Sequence, residues 1–143
     1  MNSQNKDIVR RVTEELWNKK NFDLIDELFL PEFRNLGPGV NDSADINGYR
    51  EWAKMLLSAF PDLHVDIDDL IAEGDTVVKI FHCKGTFKAD YMDIPPNNEP
   101  VLTSGITVYR FLNGKVKECK WGYDLLGFMQ QMGAIPTEAA SAA

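Results

Sequence analysis

The sequence predicts an α+β domain: three N-terminal helices, a curved antiparallel sheet that wraps around them as a cone-shaped barrel, and a short C-terminal helix. Three observations carry this. Apolar residues recur at helical spacing up to Phe60, and from His64 the period changes to two. Two hairpin signals, Gly74-Asp75 and Asn113-Gly114, then punctuate the second half. At 143 residues the chain reads as one domain, 1–143 with a core of about 5–136, large enough to bury a sizeable interior.

From Asn5 to about Lys20, Ile8, Val9, Val12, Leu16 and Trp17 form one apolar face, and Asn21 breaks the helix. A second helix, about Phe22–Phe29, carries Phe22, Ile25, Leu28 and Phe29 and stops at Pro31. Glu32–Leu36 reads as a brief extended piece, and Gly37–Asp45, dense in Gly and Pro, as a loop. The third helix, about Ile46–Phe60, sets Tyr49, Trp52, Ala53, Leu56, Leu57 and Phe60 on one face until Pro61-Asp62 ends it. Strands follow over His64–Glu73, Thr76–Lys88, Val101–Phe111 and Lys115–Tyr123, with an irregular, Pro-rich Ala89–Pro100 between the middle two. A helix over Leu125–Met132 and a frayed tail after Pro136 complete the chain. A twisted sheet curled round helices leaves a cone-shaped cavity, and three tryptophans with eight phenylalanines would make its walls apolar.

Charge and composition exclude several partners. A net charge of −7 without a Lys/Arg cluster argues against nucleic acid. No apolar run approaches the roughly 18 residues of a membrane span, and the start MNSQNKDIVRRV lacks a signal h-region. The expected location is the cytoplasm. Cys83 and Cys119 lack CxxC spacing and read as buried thiols in strands. With only His64 and His82, a multi-histidine metal centre is not expected, nor is any cofactor. Asp66, Asp68 and Asp69 read as a solvated acidic face.

The candidate site centres on Asp124, at the junction between the last strand and the last helix. A carboxylate there either caps the helix or points into a pocket beneath it as a general base. If Asn113 and Gly114 are the loop residues and neither strand is bulged, cross-strand pairs sum to 227. Thr103, Gly105, Thr107 and Tyr109 then share a face with Asp124, Gly122, Lys120 and Glu118. Trp121, Ile106 and Val108 fall on the other face, a surface for a homodimer contact. The first face offers hydroxyls at Thr103, Thr107 and Tyr109; it is either a small-molecule pocket or the wet side of the sheet. Tyr109 can serve as an oxyanion donor or as a plain strand aromatic. Asn35 can bind a substrate carbonyl or the adjacent turn; Trp52 and Phe60 can contact a ligand or fill the core.

The segments WNKKNFDLIDELFLPEF, FRNLGPG, FPDLHVDIDDLIAEGDTVV, KGTFKADYMDIPP, ITVYRFLNGKV and YDLLGFMQQMG, in this order, resemble the SnoaL-like polyketide cyclase family. That family belongs to the nuclear-transport-factor-2-like superfamily of cone-shaped α+β barrels. The resemblance implies a cofactor-independent lyase or isomerase in which an aspartate at the end of the last strand, here Asp124, removes an acidic proton from a carbonyl compound. The enolate so formed closes a ring by aldol attack. It also implies a homodimer. No histidine stands beside Asp124 on the neighbouring strand, Phe87 occupies a pocket position where histidine is common, and Cys119-Lys120 replaces a frequent His-Trp pair. The scaffold also hosts pure binders of apolar metabolites and epoxide hydrolases. The latter need an Asp–Arg–Asp set, for which Arg110 falls on the wrong face of the hairpin.

Overall fold

The computed structural model describes residues 2–37 and 44–136. Most of the loop expected over Gly37–Asp45, and the tail after Pro136, lie outside the described residues.

Helix α1 (Asn2–Arg11) runs directly into a π-helical stretch, Val12–Asn18. The periodicity predicts one uniform helix here, yet the chain widens. Widening brings Thr13 inward beside the fully buried Val9, Val12 and Leu16, and its hydroxyl donates to the Val9 carbonyl at 3.0 Å. Such turns are frequent near functional sites. Helix α2 (Leu24–Leu28) is shorter than predicted, because the chain turns extended at Phe29 and starts β1 (Phe29–Leu36). Pro31 therefore sits inside a strand, tolerated because β1 lies at the sheet edge. Helix α3 (Ile46–Ala59) is capped by Asp45, which accepts from Gly48 N at 2.8 Å. Strands β2 (His64–Glu73), β3 (Thr76–Thr86), β4 (Pro100–Leu112) and β5 (Lys115–Tyr123) follow, and α4 (Leu125–Gln131) closes the described chain.

The five strands form one sheet in the order β1-β5-β4-β3-β2. It is antiparallel except at one edge, where β1 pairs with β5 in parallel. The Asn113-Gly114 turn has positive φ at both residues, 53° and 78°, as a type I′ hairpin requires. Leu112 pairs with Lys115 and Phe111 with Val116, as the turn predicts. The register then shifts, so that Arg110 pairs with Glu118 and Tyr109 with Cys119. The extra residue is Lys117. From there to the end of the sheet every side chain of β5 faces opposite to the expectation, since side chains alternate with period two. Trp121 joins Thr107 on the inner face, while Gly122 pairs with Ile106 on the outer one. Gly105 and Gly122, expected on one face, therefore lie on opposite faces. Gly105 instead admits Phe81 and Tyr123, since a Cβ there would lie 2.9 Å from each.

The inner sheet face packs Val65, Val77, Tyr109, Phe111, Val116 and Cys119 against Val9, Val12, Leu16 and Trp17 of the N-terminal helical segment. A second cluster gathers Phe60, Phe87, Tyr91, Val101, Phe128 and Met132 beneath α4. No helix among the described residues is long and apolar enough to cross a membrane.

Candidate functional site

Between the inner sheet face and the helices lies a cavity of about 120 Å³. Its floor follows from the alternation of the strands. Four rows cross the sheet: Val77–Tyr109–Cys119, Lys79–Thr107–Trp121, Phe81–Gly105–Tyr123 and Cys83–Thr103. The helices supply Trp17, Tyr49, Trp52, Leu56 and Phe60 to the opposite wall. All three tryptophans line the space. Trp52 stacks on Trp121 with ring centroids 5.1 Å apart and planes at 17°, and Trp121 stacks in turn on Tyr123 at 5.6 Å.

Five residues proposed from the sequence, Tyr109, Trp52, Phe60, Thr103 and Thr107, line this cavity. Tyr109 is buried, which pushes its phenol well above the ordinary range and keeps it a donor. Thr103 Oγ1 is buried with no hydrogen-bond partner, an orphaned polar atom in a cavity wall. Trp52 Nε1 donates to the Tyr91 hydroxyl at 3.1 Å.

Three proposed residues lie elsewhere. Asp124 is exposed, caps α4 by accepting from Gly127 N at 3.0 Å, and is absent from the cavity wall. The reason is the register: β5 ends at Tyr123, whose ring takes the inward position, and the chain turns into the helix at the next residue. Asn35 is buried, but its Oδ1 accepts from Trp121 Nε1 at 2.6 Å and so positions that indole rather than meeting a ligand. Gly37 completes this seat, since a Cβ there would collide with the Trp121 ring. Phe87 is fully buried one layer out, stacked on Phe60 at 5.3 Å. Arg110 is exposed on the outer face, donating to Thr76 Oγ1 at 3.1 Å. Both cysteines are free, and both line the cavity, where burial raises Cys83 to about 11 and Cys119 further.

Sequence reasoning missed Lys79. It occupies the centre of the floor, is only 3% exposed, and lies over the rings of Phe81 and Tyr109 at 5.1 and 5.4 Å. Among the described residues its one hydrogen bond runs to Thr13 Oγ1 at 3.3 Å. No carboxylate among the described residues pairs with it. Burial lowers its pKa from 10.5 to about 8. A perturbed ionisable group in a cavity marks a functional candidate. Trp121 was misplaced for want of one signal, the apolar spacing Val116, Cys119, Trp121, Tyr123, whose first interval is three rather than two. Among the described residues no three His, Cys, Asp or Glu side chains are placed to hold a metal ion.

Residues 7–132 match the model of the SnoaL-like polyketide cyclase family. Among solved structures, the chain is similar to a protein of Jannaschia sp. CCS1 assigned as a SnoaL-like polyketide cyclase, at 27% identity over 94% of this chain and 95% of that one, with a TM-score of 0.87. It is also similar to an Acidithiobacillus ferrooxidans protein assigned as a polyketide cyclase, at 32% identity over 93% and 96%, TM-score 0.82. AclR from Streptomyces galilaeus, assigned as a hydroxylase, shares the fold at 20% identity over 95% and 100%, TM-score 0.85. No curated protein matches by sequence.

Proposed function

Because this chain belongs to the SnoaL-like polyketide cyclase family, we propose that its cavity takes up a small, largely apolar carbonyl compound and abstracts an acidic proton from it without a cofactor, as a lyase or isomerase. The observation that carries the reading is one aromatic hollow whose wall holds the Tyr109 phenol, the unpartnered Thr103 hydroxyl and the Lys79 amine. A buried phenol donates to a developing enolate oxygen without a competing proton loss. Lys79, partly neutral near pH 8, carries a lone pair suited to a carbon acid. Asp124, committed to its helix cap, has no part in this arrangement.

A second reading is a binding domain for an apolar metabolite. It is favoured by the wall's composition, in which no carboxylate or imidazole appears among the described residues. The outer sheet face, with Ile106 49% and Leu102 59% exposed, supports a homodimer.

Proton–deuterium exchange on a panel of β-dicarbonyl compounds tests the catalytic reading, with binding followed by tryptophan fluorescence. Wild type is expected to accelerate exchange, Tyr109→Phe to lose most of the rate, and Asp124→Asn to keep it. Quenching without exchange would establish the binding reading instead. Arrest in Asp124→Asn alone would return the base to the cap residue.

A further inference from the structure

We propose that the ε-amine of Lys79 is a nucleophile that captures the carbonyl carbon of an aldehyde or ketone ligand as an imine. The inference rests on the cavity being a site for carbonyl compounds and goes on to name a covalent chemistry for it.

Its ground is the setting of one side chain. Lys79 lies in the second of the four rows of the floor, between Leu70 on β2 and Thr107 on β4, with Trp121 one strand further. Fully buried lysines are rare unless paired, and here the pairing is slight. The bond to Thr13 Oγ1 is long, and that hydroxyl already donates to Val9 O. Among the described residues, the other titratable groups around the cavity are Cys83, Cys119, Tyr49, Tyr91, Tyr109 and Tyr123. Burial pushes every one of them up; Cys119 and Cys83 still favour the cation of Lys79, but its own burial outweighs them. The amine is thus partly available as a free base in an aromatic space, the environment that activates imine-forming lysines. The orphaned Thr103 hydroxyl and the Tyr109 phenol share the same wall and supply donors for a carbonyl oxygen.

The step balances without any redox partner. The nitrogen lone pair adds to the carbonyl carbon, and the carbonyl π pair moves to oxygen, which takes a proton as the nitrogen gives one up. The carbinolamine hydroxyl then takes up the second amine proton and leaves as water while the nitrogen lone pair forms the C=N bond. In its protonated form the imine draws electrons from the α-carbon more strongly than the parent ketone; with its lone pair in the C=N bond, Lys79 then acts as an electron sink and no longer as the base.

The test is reductive trapping. Wild type, Lys79→Arg and Lys79→Met are incubated with benzaldehyde or hexanal and sodium cyanoborohydride near neutral pH, and adducts are read by intact mass and peptide mapping. Fluorescence quenching by the same probes without reductant reports cavity occupancy. The expected result is one adduct per chain, with Lys79 labelled at least roughly tenfold above any of the nine other lysines. That adduct should be missing from both variants, and acetophenone, added unreduced, should compete for it. Quenching with Lys79 unlabelled, or labelling spread evenly over the surface, overturns the proposal while leaving the cavity as a binding site. Neither quenching nor labelling overturns the cavity reading as well. Mapping on wild type stands by itself should either variant fail to fold.

Discussion

Asp124 and Lys79 are two charged side chains under opposite conditions. Asp124 stands in water at the start of α4, and a backbone N–H at 3.0 Å satisfies its carboxylate. Lys79 stands over the rings of Phe81 and Tyr109, and among the described residues its one hydrogen bond is a 3.3 Å contact to a hydroxyl. The first charge is used up by the fold. The second costs the fold stability and has little structural return, and groups kept on those terms are candidates for chemistry. The difference teaches that a carboxylate at the end of the last strand is not a base by position alone. It must also face inward, and here the turn into the helix takes it out.

The largest effect should come from removing the buried charge. Lys79→Met is expected to stabilise the chain by about 3 kcal/mol at pH 7, as follows from lowering a lysine from 10.5 to about 8. The sign is fixed by linkage. Below pH 8 the wild-type fold carries the full penalty of a buried cation. Between 8 and 10.5 the unfolded chain binds the proton and the folded one does not, so wild-type stability rises and the gap to the variant closes. Urea melts of both proteins at pH 7 and pH 10.5 measure it; a gap that does not change with pH would mean the amine is not buried as described.

Next comes the satisfied charge. Asp124→Ala should cost about 1 kcal/mol through loss of the cap, while Asp124→Asn, itself a good capping residue, should cost far less. Thermal melts compare the two. A loss in Asp124→Asn as large as in Asp124→Ala would show that the negative charge matters beyond capping. The smallest effect belongs to Thr103→Val. Replacing an unpartnered buried hydroxyl by a methyl should be neutral or stabilising by under about 1 kcal/mol, yet should weaken the binding of carbonyl probes in fluorescence titrations. Unchanged affinity would remove Thr103 from the site.

Most of the fold was legible because it rests on local patterns. The helical spacing of Tyr49, Trp52, Ala53 and Leu56, the alternation from His64 onward and the Asn113-Gly114 turn each act within a few residues. The site was only half legible, because its geometry depends on register. The turn correctly pairs Leu112 with Lys115 and Phe111 with Val116, and one added residue then reverses the rest of the strand. Lys79 was hidden for a different reason. In Thr76–Cys83 both alternating sets mix apolar and polar residues, so the pattern does not say which set faces in, and a lysine is read as the wet one by default. Asn35 and Trp121 stand 86 positions apart, and their bond appears only once the parallel β1–β5 edge has formed.

Lys117, exposed and outside the cavity wall, illustrates a constraint that a substitution scan would never detect. Almost any amino acid there would do, yet having none would not. Deleting it would spare the turn but evert Cys119, Trp121 and Tyr123, and the chain would display its aromatic lining to the solvent. At this position evolution is free to change the letter and bound to keep the count.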